Sequence, residues 1–162
     1  DGSRVGKNDP RIDAYGDVDE LNAVLGVARA SGLPPDLDDA LLRIQRDLFA
    51  LGARLADPAD RIAARVSKAD LGDDDVRRLE GLIDRFDAEP PALRRFILPG
   101  GCRSGAALHL ARTVCRRVER RMVGLVPAPE AVLIRYINRL SDLLFAMARA
   151  ANYRAAVPEV EW

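Results

Sequence analysis

Apolar positions recur at steps of three and four along most of this chain, and the stretches that carry them are separated by prolines at 10, 34, 35, 58, 90, 91, 99, 127, 129 and 158. That period belongs to helices with one buried face. Tyr15, Val18, Leu21, Leu25 and Ala28 define a first helix that runs to about Ser31–Gly32. Asp9 is its predicted N-cap and Pro10 its first helical residue. "DLDDALLRIQRDLFALGARLA" (36–56) predicts a second helix. "DDDVRRLEGLIDRFDAE" (73–89) predicts a third, with acids in its first turn where the helix dipole favours them. A fourth is expected from about Arg103 to Val126, and a fifth from Pro129 to about Ala155. Period-two alternation and internal repeats are absent. The expectation is one all-α domain over 1–162, a five-helix bundle. Residues 58–72 read as a polar, mobile loop, and "FILPGG" (96–101) as a short apolar run ending in a turn before the fourth helix.

Composition narrows the function. Lys plus Arg and Asp plus Glu each number 25, so formal net charge is zero, which argues against a general nucleic-acid binder. No uncharged apolar run approaches the roughly 18 residues needed to span a bilayer, and no leader pattern opens the sequence. Cys102 and Cys115 have neither CxxC spacing nor a His cluster nearby, so two buried, reduced thiols are expected. These features predict a cytoplasmic protein that meets neither membrane nor nucleic acid.

Charge placement is more informative than its sum. "ARTVCRRVERR" (111–121) packs five arginines and one glutamate into a helix whose Leu108, Ala111, Val114, Cys115, Val118 and Met122 form the core stripe. Arg112, Arg116 and Glu119 align on another side, with Arg120 close by. Glu119, three residues beyond Arg116, can hold that guanidinium in one orientation. A fixed planar cation suits bidentate phosphate binding; a solvated helix face with an ordinary ion pair is the alternative. On the fifth helix, Leu133, Ile137, Leu140, Leu144 and Met147 make the buried stripe, and Asn138, Asp142, Phe145 and Arg149 a second line. Asn138 is costly inside a helix, so beside Asp142 it reads as a ligand for a ribose, a base or a metal-bound water, or as an interhelical hydrogen bond. Asp19, Asn22 and Gly26 flank the first helix's stripe, where a buried carboxylate would need a cation.

Together "DPRIDAYGDVDELNAVLG", "FILPGG", "ALHLARTVCRRVERR" and "YINRLSDLLFAMAR" resemble the PduO-type ATP:cob(I)alamin adenosyltransferases from about Gly2 to Arg149. The resemblance implies a homotrimer of five-helix bundles with active sites between subunits, making adenosylcobalamin and triphosphate from ATP and cob(I)alamin with Mg²⁺. It implies ATP binding by Lys7, Arg116, Arg117, Glu119, Arg120 and Asn138, and a salt bridge across the subunit interface between Asp19 and Arg112. It implies that Phe96 packs beneath the corrin and keeps the lower ligand off cobalt. A glycine-rich loop around the triphosphate would precede residue 1 and is absent from this chain. A reductase and an adenosylcobalamin-dependent enzyme are the further partners it suggests. No general base is required, since no proton moves when cobalt attacks C5′; cations that hold the departing triphosphate are what the reaction needs. The rival is a non-catalytic helical oligomer in which Asp19, Arg112 and Glu119 form an interfacial salt-bridge network. A di-iron bundle is excluded, since His109 has no glutamate three residues before it. Residues 58–72 and the tail "PEVEW" carry no motif.

Overall fold

The computed structural model describes residues 9–56 and 71–162. Five helices follow one another: α1 (Pro10–Ala30), α2 (Pro35–Ala56), α3 (Asp73–Asp87), α4 (Arg103–Val123) and α5 (Ala131–Arg154). Their starts are set locally. The Asp9 carboxylate accepts from the Arg11 N–H at 2.8 Å, capping α1 ahead of Pro10. The Asp75 carboxylate accepts from the Gly72 N–H at 3.1 Å and closes the first turn of α3. α4 and α5 are shorter than their patterns suggest. Gly124 terminates α4, its N–H reaching the carbonyls of Arg120 and Arg121, and the Pro127–Pro129 connection delays α5 to Ala131.

α4 is central, packing on α5 to one side and on α1 to the other; α3 covers α5 and α2 covers α1. The predicted stripes of α4 and α5 are buried throughout. On α1 the stripe shifts by one residue: Ala14 is buried and Tyr15 is 43% exposed, because Tyr15 lies at the stripe's edge, where its ring packs beside Gly52 of α2. Polar contacts close the bundle. Buried Asp47 of α2 accepts from the Tyr136 hydroxyl of α5 at 2.8 Å and from Arg78 of α3 at 2.5 Å. Burial beside that carboxylate pushes the Tyr136 phenol well above its ordinary pKa, so it stays a donor.

The cysteines differ from expectation in one respect. Both are free thiols, but Cys102 is half-buried, because its sulfur caps α4 by accepting from the Gly105 N–H at 3.3 Å. Cys115 is buried, and burial pushes its thiol pKa far up. The expected mobile loop at 58–72 lies outside the described residues up to 70; Leu71, at its end, is buried.

Two features aim the 96–101 segment. The Asn152 side chain accepts from the Cys102 N–H at 2.9 Å and donates to the Gly100 carbonyl at 3.0 Å, pinning the turn to α5. Gly101 permits this with φ +109°, and a Cβ there would sit 2.2 Å from the Asn152 side-chain oxygen.

Candidate active site

The arginines of α4 divide between two faces. Arg117 pairs with Glu20 and, at 3.4 Å, with Asp17; Arg121 pairs with Asp13 at 3.1 Å and Asp17 at 3.5 Å. All three acids belong to α1, so these two cations fasten α4 to α1. The bond to Glu20 raises the Arg117 pKa further. Arg112, Arg116 and Arg120 rise at steps of four on the other face. Arg116 and Arg120 are exposed, and among the described residues no carboxylate pairs with any of these three. The cation density of 111–121 therefore has two uses, one internal and one left open.

Arg112 and Arg116 line a cleft of about 890 Å³ formed by α3, α4, α5 and the 90–97 loop. Phe96, Asp142 and Phe145 line it too. The guanidinium of Arg112 lies 5.7 Å from the centre of the Phe145 ring, a cation–π distance. Phe96 is 81% exposed, so it is not the core residue that its apolar neighbours would suggest. The two acids of the cleft are matched inside the chain: Asp142 accepts from Arg139 at 2.7 Å, and Asp87 pairs with Arg149 at 3.4 Å. That leaves the cleft with aromatic walls and surplus positive charge from Arg112 and Arg116.

Glu119 does not orient Arg116 as its spacing predicts. Its carboxylate instead accepts from the Asn138 side-chain amide at 2.8 Å, joining α4 to α5. A donor on α5 competes better than the i,i+3 guanidinium, whose long side chain would lose entropy to form the pair. Asn138 thus has an interhelical bond and still presents its amide oxygen and an exposed edge. Arg149, predicted in line with Asn138, is buried instead.

Asp19 is exposed rather than buried, on the rim of a separate pocket of about 260 Å³ between α1 and α2. Within one chain it therefore does not meet Arg112. Lys7 lies outside the described residues.

Sequence reasoning gave no role to His109. It is 3% exposed, sits edge-on to Phe145 with ring centres 5.9 Å apart, and neither ring nitrogen has a hydrogen-bond partner. Burial, then the nearby Arg112 charge, lowers its pKa. A depressed histidine contributes stability that is present above its unfolded value of about 6.5 and is lost as pH falls through the folded one, at about 1.4 kcal/mol per unit of difference. His109→Leu is expected to flatten the melting temperature between pH 7 and 5. Parallel pH profiles for wild type and variant would contradict this.

The fold is thus an all-α bundle with an aromatic-lined cleft that carries Arg112 and Arg116, neither paired with a carboxylate among the described residues. The cobalamin adenosyltransferase family model matches residues 1–151, and the chain belongs to that family. It is 43% identical over 167 residues to a corrinoid adenosyltransferase of Bacillus subtilis, covering 99% of this chain and 84% of the relative. It is 45% identical over 165 residues to a cobalamin adenosyltransferase of Cupriavidus metallidurans, covering 100% and 85%. Among solved structures it resembles a phenylalanine-to-alanine variant of the PduO-type ATP:corrinoid adenosyltransferase of Lactobacillus reuteri, complexed with cobalamin and ATP. The TM-score is 0.86 at 40% identity, covering 98% of this chain and 88% of that one. An arginine-to-lysine variant of the same enzyme, complexed with ATP, has a TM-score of 0.86 at 40% identity, covering 99% and 91%.

Proposed function

We propose that this protein transfers the 5′-deoxyadenosyl group of ATP to the cobalt of cob(I)alamin, with the 112–120 arginine row holding the triphosphate and Phe96 facing the corrin. The observation that carries the reading is the cleft that places Phe96, Arg112 and Arg116 on one surface. The phenylalanine and the arginine replaced in the two Lactobacillus reuteri variants lie twenty positions apart, the separation of Phe96 and Arg116 here.

Arg116 and Arg120, paired with no carboxylate among the described residues, supply donors to the triphosphate as charge builds on it, with Lys7 as a third cation. Glu119 and Asn138, locked to each other, present a fixed polar edge to the nucleoside. Arg117 stands with the ATP ligands in the family pattern; in the fold its pairs with Glu20 and Asp17 let it act by holding α4 in register. Mg²⁺ enters on the triphosphate in this reading and neutralises part of its charge. Phe96 and Phe145 give the corrin a dry wall that keeps water and the lower ligand from cobalt.

The site is completed by neighbouring subunits of a homotrimer: among the described residues Arg112 has no carboxylate partner, and Asp19 is an exposed acid with no cation beside it. The rival network of interfacial ion pairs is weakened at Glu119, whose carboxylate accepts from Asn138 of its own chain. No helix of the described residues is long and apolar enough to cross a membrane; a cytoplasmic site of action, beside a cobalamin reductase, suits the chemistry. The test is a spectroscopic assay with ATP, Mg²⁺ and chemically reduced cobalamin, paired with sedimentation. Formation of adenosylcobalamin and triphosphate by a trimer supports the reading; failure to adenosylate rejects it.

A further inference from the structure

An aromatic that is 81% exposed and sits on a loop has a defined direction only if its backbone is held. The tail "PEVEW", which matches no motif, does the holding. It runs antiparallel to 96–98: Val160 accepts from the Leu98 N–H at 2.8 Å, the Trp162 N–H donates to the Phe96 carbonyl at 2.9 Å, and Ile97 bridges Glu161 between them. A two-residue ladder is too short to hold by itself. Its anchor is Arg149, 3% exposed on α5. The Arg149 Nε donates to Glu159 at 3.0 Å, one Nη donates to the Pro91 carbonyl at 2.6 Å, and the other reaches Asp87 at 3.4 Å. One guanidinium thus joins the end of α3, the base of the 90–97 loop and the tail. Glu159 is its desolvated partner, with a side chain 20% exposed against 60% for Asp87.

We propose that Arg149 is a positioning residue for Phe96, acting through Glu159 to dock the tail that sets the direction of the 96–98 backbone. This rests on the reading of Phe96 as the corrin-facing aromatic. The ion pair lies beyond the arginine row and touches no nucleotide ligand named above, so its effect falls on the corrinoid and not on ATP.

The test uses Glu159→Gln, which keeps the shape and removes the charge, and Arg149→Lys, which keeps the charge and loses the three-way reach. Two readouts need no activity: amide exchange at Leu98, and fluorescence anisotropy of Trp162, the one tryptophan of the chain. In Glu159→Gln, exchange at Leu98 should quicken and anisotropy fall. The KM for cob(I)alamin should rise, or turnover drop, on the order of 10–100-fold, with more five-coordinate Co(II) in the bound corrinoid and an unchanged KM for ATP. Arg149→Lys should lie between wild type and Glu159→Gln; should it fail to fold, Glu159→Gln alone decides. A released tail with wild-type corrinoid kinetics overturns the proposal, as does a tail that stays docked without the Glu159 charge. If wild type forms no adenosylcobalamin, the activity reading fails, and tail docking is still judged by exchange and anisotropy.

Discussion

Replacing Arg116 with alanine is expected to lower kcat/KM by on the order of 10²–10³, the cost of deleting one preorganised donor to a developing anion. The prediction is sharp because Arg116 has no second duty. It is exposed, it lines the cleft, and no carboxylate of the described chain depends on it. Its removal should therefore leave stability within about 0.5 kcal/mol, as for other surface substitutions, and leave sedimentation unchanged. Arg117→Ala is the contrasting control. That side chain holds Glu20 and Asp17, and Asp17 is a largely covered acid with a buried, unbonded oxygen. Its loss should loosen α4 from α1 and lower the melting temperature. Titration of ATP, steady-state rates and thermal melts on both variants separate the two roles. Wild-type kinetics in Arg116→Ala would take that residue out of the site.

Replacing Phe96 with alanine should slow adenosylation by on the order of tenfold or more while ATP affinity stays constant. A core phenylalanine would cost about 3–5 kcal/mol on truncation. At 81% exposure no such cavity opens, and the fold should be nearly indifferent. The spectroscopic signature distinguishes a corrin wall from a bystander: bound Co(II) corrinoid should show more of the five-coordinate form once the ring that excludes the lower ligand is gone. An unchanged spectrum would reduce Phe96 to an incidental surface aromatic. The cleft has a second aromatic in Phe145, edge-on to His109 and under Arg112. The carboxyls of Asp36 and Asp38 are held below their usual range by Arg154 and Arg29. Stability from those two is present above about pH 4 and is lost below it.

The primary structure determined which segments become helices and which faces they bury. Asp9, Pro10 and Gly124 act on their own turns, and the α4 and α5 stripes follow from a 3.6-residue period; neither needs knowledge of a neighbour. It also determined that Arg112, Arg116 and Arg120 share a face, since i,i+4 geometry is a property of one helix. Tertiary structure decided everything that depends on a second element. Arg117 and Arg121 are committed to α1, Glu119 turns to Asn138 rather than to Arg116, and Tyr15 slips to the edge of its stripe. The tail finds 96–98 through a buried arginine on α5. In each case several partners are compatible with the local sequence, and the choice is made by which surfaces packing brings within hydrogen-bonding distance.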